Sequence, residues 1–113
     1  MISILAEESL REVCAIEQHS LDEYESEMPR WCKGCGDHGV LAALQRVLRT
    51  NNLEPENVVS VSGIGCSSRL PHYLNTYGFH GIHGRALPIS TGVRLARPEL
   101  PVITIMGDGD CFS

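Results

Sequence analysis

Apolar residues set the reading of the chain before any motif does. Val40, Leu41, Leu44, Val47 and Leu48 recur at helical spacing, which predicts a helix over residues 38–49 with one buried face. A turn region containing Pro55 follows. Residues 58–62, VVSVS, alternate and are rich in β-branched side chains, which predicts a strand. That strand runs directly into Gly63, Gly65 and Cys66. Residues 70–85 have no clean period and read as loop with short helical or extended pieces. Residues 86–96 read as a second helix, stopped by Arg97-Pro98. Residues 102–106, VITIM, are almost continuously apolar, as buried parallel strands are, and Gly107-Asp108-Gly109-Asp110 follows at once. This order predicts an α/β fold with a mostly parallel sheet flanked by helices. Ligands are expected at the C-terminal ends of its strands.

The first 30 residues have a different texture. Ile4, Leu5, Leu10, Val13 and Ile16 mark one loosely amphipathic helix, and Pro29 ends any helix there. Residues 22–27 are mostly acidic and read as a solvated linker. The expected organisation is an acidic extension over residues 1–30 and a domain from residue 31 to residue 113.

Composition narrows the function classes. With 42% hydrophobic and 20% charged residues, a packed core is expected. The net charge of −5 argues against a nucleic-acid partner, which requires basic patches. No apolar run approaches the roughly 20 residues of a membrane span, and no signal peptide is legible, so the default expectation is cytoplasmic. Five cysteines, an odd number, in a chain read as unexported disfavour a disulfide framework. Cys14 reads as a packed or incidental thiol. Metal or cluster ligation, or redox chemistry, is the better explanation for at least some of the others.

Three groups of residues can carry chemistry. Cys32-Lys33-Gly34-Cys35 places two thiols within reach of one metal centre, and Cys66 arrives from a strand-end loop. Thiolates suit zinc and iron–sulfur clusters alike. The alternatives are a thioredoxin-like dithiol, a zinc site completed by a histidine such as His38, or buried thiols with no role. The thioredoxin reading is weakened by the poor strand character of residues 25–30. The second group is Gly107-Asp108-Gly109-Asp110 behind an apolar strand. Its glycines admit a diphosphate, and a carboxylate there can hold magnesium against phosphate oxygens; the plain alternative is a turn. The third, residues 78–85 (GFHGIHGR), sets His80, His83 and Arg85 among glycines, suited to anion contacts or proton transfer, or simply to a solvated surface turn.

Taken together, WCKGCGDHG, GIGCSSR, GFHGIHGR and GDGD, in this order from Trp31 onward, resemble the beta subunit of 2-oxoacid:ferredoxin oxidoreductases. The resemblance implies thiamine diphosphate, magnesium and a four-iron four-sulfur cluster as cofactors. It implies Cys32, Cys35 and Cys66 as cluster ligands, with Ile64, Gly65, Cys66 and Ser67 lining the cofactor pocket. His83 would be a coenzyme contact, Asp108 a magnesium ligand, and Gly109 and Asp110 would lie against the diphosphate. Lys33 stands where the family usually has proline, at a position that ligates nothing.

The implied activity is coenzyme A-dependent oxidative decarboxylation of a 2-oxoacid, 2-oxoglutarate being favoured, with electrons passed to ferredoxin. The implied protein partners are an alpha subunit and ferredoxin. The resemblance covers the front portion of such a subunit. The family's second magnesium ligand, an asparagine, and its fourth cluster cysteine are expected further on, since Cys111 is too close to the GDGD motif to match the latter. A partial coding sequence, inactive alone, is therefore expected. The competing function is a small non-catalytic metal-binding module built on Cys32, Cys35 and Cys66.

Overall fold

The computed structural model describes residues 19–113. The amphipathic helix expected around residues 4–16, and Cys14 within it, lie outside the described residues. Three strands form one parallel sheet: β1 (Val59–Ser62), β2 (Tyr77–His80) and β3 (Val102–Ile105), in the order β2-β1-β3. Among the described residues, four α-helices accompany them: α1 (Asp37–Thr50), α2 (Leu70–Tyr73), α3 (Ala86–Ala96) and α4 (Asp108–Cys111). Short 3-10 turns occupy Leu21–Tyr24, Pro55–Asn57 and Ser67–Arg69. Among the described residues, no helix is long and apolar enough to cross a membrane.

The alternation in β1 assigns the two faces of the sheet. Val59 and Val61 turn toward α3 and pack with Ala86, Ile89, Val93, Leu100, Val102 and Met106. On the other face, Ile103 and Ile105 of β3 join Leu41, Leu44 and Leu48 of α1, together with Val58, Leu70, Tyr73 and Leu74. The sheet is thus covered by helices on both sides. Ser60 and Ser62 are fully buried, and neither hydroxyl is left without a partner. Ser60 Oγ lies 2.9 Å from Thr76 Oγ1, and Ser62 Oγ lies 2.9 Å from His80 Nδ1. Pairing of this kind offsets the cost of placing hydroxyls in the middle strand.

The expected α/β architecture is present, with differences in detail. The sequence reading had no strand at residues 77–80. Tyr77-Gly78-Phe79-His80 is an edge strand whose residues are all exposed, so burial imprints no pattern on it. The second expected strand stops at Ile105, one residue short of Met106. The acidic stretch is only partly solvated. Asp22, Glu23, Glu25 and Glu27 are exposed, but Tyr24 is completely buried. Its hydroxyl donates to the Leu53 carbonyl at 2.7 Å, and the Ser26 amide donates to the Tyr73 carbonyl. This segment is anchored by one aromatic side chain while its charges remain in water.

Candidate functional site

All three strands run parallel, so their C-terminal ends open on one side of the sheet. The loop Gly63–Cys66 leaves β1, the loop Gly81–Arg85 leaves β2, and Met106-Gly107 leads from β3 into α4. The sequence motifs therefore converge although they are spread over some 50 positions. The GDGD motif is the start of a short helix, not an open turn: Gly107 is extended and precedes α4.

Asp110 is the centre of this edge. It is 4% exposed, and its carboxylate is engaged by donors from both other loops. The Gly84 amide donates to Oδ1 at 2.6 Å and the Ile64 amide to Oδ2 at 3.1 Å. His83 Nδ1 lies 3.0 Å from Oδ1. These donors hold the Asp110 carboxyl below its ordinary range, the Gly84 amide most strongly. Burial opposes this, while the Ile64 amide and the charges of His83 and His80 add to it. Two glycines make the geometry possible. A Cβ on Gly63 would sit 1.8 Å from Asp110 Oδ2, so only glycine admits the carboxylate. Gly84 has φ +72°, a left-handed conformation that other residues adopt at a cost.

The expected site residues fall into two groups around this centre. Asp108 and Gly109 are exposed at the start of α4, and His83 is exposed apart from its contact with Asp110. Ile64, Gly65 and Cys66 are exposed on the β1 loop, and Ser67 is half-buried at the start of the next turn. Asp110 differs from the rest because its carboxylate is taken up by the protein's own donors. His80, expected from the sequence as an anion contact or proton carrier, meets Ser62 and Ser68, two residues for which the sequence predicts no role. His80 Nδ1 lies 2.9 Å from Ser62 Oγ and 3.1 Å from the Ser68 carbonyl, so its N–H is shared between the two oxygens. The only sequence signal for this was a serine alternating with valine in β1.

The cysteines are arranged more loosely. The Cys35 amide donates to the Cys32 carbonyl at 3.1 Å, closing a tight turn that leads into α1. The Trp31 indole N–H donates to the Cys66 carbonyl at 2.6 Å, which ties the CKGC turn to the β1 loop. Trp31 also stacks edge-on against Tyr73 with ring centres 4.9 Å apart. Cys32 and Cys66 are exposed and Cys35 is half-buried, all three as free thiols. Among the described residues, no three His, Cys, Asp or Glu side chains are gathered where they would hold a metal ion. His38, the expected partner in a zinc site, places its Nε2 3.2 Å from the Cys32 carbonyl. The donors suit a thiolate-bound metal, but the protein alone does not assemble them.

Comparison with known proteins agrees with this layout. Residues 63–113 match the family described as thiamine pyrophosphate enzyme, C-terminal TPP binding domain. The chain is similar to the 2-oxoglutarate oxidoreductase subunit KorB of Mycobacterium tuberculosis, 56% identical over 84 residues. That alignment covers 74% of this chain and 22% of the relative. The 2-oxoacid:ferredoxin oxidoreductase 1 subunit beta of Aeropyrum pernix is 55% identical over 80 residues, covering 71% of this chain and 25% of the relative. Among solved structures, it is similar to the 2-oxoglutarate:ferredoxin oxidoreductase from Magnetococcus marinus with 2-oxoglutarate, coenzyme A and succinyl-CoA bound. The TM-score is 0.81 at 41% identity, over 86% of this chain and 34% of that chain. The chain thus spans about a quarter of the length of these curated relatives.

Proposed function

We infer that this chain, which belongs to the beta-subunit family of the 2-oxoacid:ferredoxin oxidoreductases, supplies the strand-end loops that hold magnesium thiamine diphosphate in such an enzyme. The observation that carries the reading is the convergence of three loops on one edge of a parallel sheet, with the Asp108 carboxylate exposed between two glycines. Magnesium is satisfied by one or two carboxylates together with phosphate and water oxygens, so Asp108 suits it without a cage of protein ligands. Gly107 and Gly109 leave the backbone on either side of Asp108 open to a diphosphate.

The coenzyme supplies the electron sink for decarboxylation when bound. The protein's own residues orient it. Asp108 holds the metal, Ile64 to Ser67 line the pocket, and His83 meets the coenzyme from the β2 loop. Cys32, Cys35 and Cys66 are the chain's ligands to an iron–sulfur cluster. Their chemistry fits that group, while their present arrangement does not yet enclose it. The substrate is a 2-oxoacid, 2-oxoglutarate being favoured by the names of the relatives, with coenzyme A as acyl acceptor and ferredoxin as electron acceptor. An alpha subunit completes the enzyme.

Asp108→Asn separates this function from a merely structural turn. In a full-length beta subunit carrying these residues and combined with its alpha subunit, 2-oxoglutarate- and coenzyme A-dependent dye reduction is expected to fall by more than tenfold. Excess magnesium should partly restore it. Unchanged activity in the variant would show that the GDGD segment holds no metal.

A further inference from the structure

Asp110 carries a role that a diphosphate contact does not describe. Its carboxylate is buried, stands on α4 behind the last strand, and accepts from the other two strand-end loops at once. The Ile64 amide is 46 positions away and the Gly84 amide 26. Each belongs to a segment expected to face the coenzyme. Nothing else among the described hydrogen bonds links the β1 loop to the β2 loop through a single side chain. The Gly63 contact confirms that the space was made for this carboxylate, since any larger residue there would occupy it.

We propose that Asp110 is the positioning residue of the coenzyme site: its buried carboxylate clasps the Gly63–Cys66 and His83–Gly84 loops together and fixes the orientation of His83. With Nδ1 donating to Asp110 Oδ1, neutral His83 carries its proton on Nδ1 and presents Nε2 as an acceptor. In the structure Nε2 meets the Ser113 hydroxyl at 2.8 Å, just beyond the C-terminal end of α4. A ligand group that reaches Nε2 is therefore read as a hydrogen-bond donor. The clasp is made entirely by the protein's own groups, so it can order the two loops without help from a bound coenzyme. Asparagine cannot replace Asp110. Three N–H donors converge on two oxygens, and a carboxamide would turn one NH2 group against them.

The inference rests on the proposed function for its meaning, but it is tested on coenzyme-free protein. Nitrogen-15 NMR of the full chain reads the His83 tautomer and the exchange protection of the Ile64 and Gly84 amides. Wild-type protein is expected to show the Nδ1–H tautomer and two protected amides. Asp110→Asn is expected to lose all three signatures, whereas Asp108→Asn keeps them. Coenzyme titration should weaken in both variants. A wild-type protein with Nε2–H His83 and freely exchanging Ile64 and Gly84 amides overturns the clasp without any variant, so a misfolded Asp110→Asn does not leave it undecided. Retention of the signatures in a folded Asp110→Asn overturns it as well. An intact clasp in wild-type protein that binds no coenzyme supports the clasp and overturns the functional reading.

Discussion

The two chemical regions of the molecule are built to different degrees. At the strand ends, polar groups from three loops are already bonded to one another through Asp110. At the cysteines, one indole–carbonyl bond brings Trp31 to Cys66, and the thiols remain free and largely exposed. The difference follows from the chemistry of the donors. Backbone amides and a carboxylate satisfy each other and can be buried as a closed set. Three thiolates drawn together repel one another and gain only when a metal joins them, so that binding and ordering coincide. One region is closed by its own hydrogen bonds, and the other offers thiols that only a metal would join.

Substitutions can break or sharpen this contrast. The largest effect is expected from Gly63→Ala, because the new Cβ would overlap Asp110 Oδ2. Displacing the carboxylate should weaken thiamine diphosphate binding by about 10–100-fold, the range typical of losing the supports of a ligand site. Calorimetric titration measures it, and Gly63→Ala combined with Asp110→Asn should be no worse than either alone. Cys66→Ala should behave in the opposite manner. Iron retention after anaerobic reconstitution is expected to be lost, seen as missing visible absorption. Unfolding of the metal-free protein should shift by only about 0.5 kcal/mol or less, since the thiol is exposed.

Smaller effects locate the supports of each region. Tyr24→Phe removes the bond to the Leu53 carbonyl and should cost about 1 kcal/mol in denaturant unfolding. Burial, and then the nearby Glu23 and Glu54 charges, raise the Tyr24 hydroxyl above its ordinary 10.0. The folded state therefore keeps this proton longer than the unfolded chain does. Its contribution is complete below pH 10.0 and is lost as pH climbs through the folded-state value, so alkaline unfolding should be blunted in Tyr24→Phe. Trp31→Phe retains an aromatic ring against Tyr73 but removes the donor to Cys66. It should cost about 0.5 kcal/mol and quicken alkylation of Cys66 by iodoacetamide, leaving the Asp110 signatures unchanged.

Much of this architecture is legible in the sequence where burial is regular. The helix at 86–96 has the same bounds in the structure, and the helix expected at 38–49 gains one residue at each end. Both carry a repeating apolar face against the sheet. The edge strand β2 was not legible, because its exposure removes the alternation that marks a half-buried strand. Tyr24 was hidden among acidic neighbours whose charges say nothing about one buried ring. Asp110 was legible as part of a motif but not in its role. Its partners are 26 and 46 residues distant, and local pattern carries no information about which loop a carboxylate will meet.

The proposed role of the strand ends is to hold a diphosphate through magnesium on Asp108. Titrating thiamine diphosphate against a full-length beta subunit carrying these residues, with magnesium and with magnesium chelated, decides it. Saturable binding that requires magnesium and weakens by about tenfold or more in Asp108→Asn is expected. Binding indifferent to magnesium and to Asp108→Asn, or no saturable binding by the wild-type protein, would contradict it.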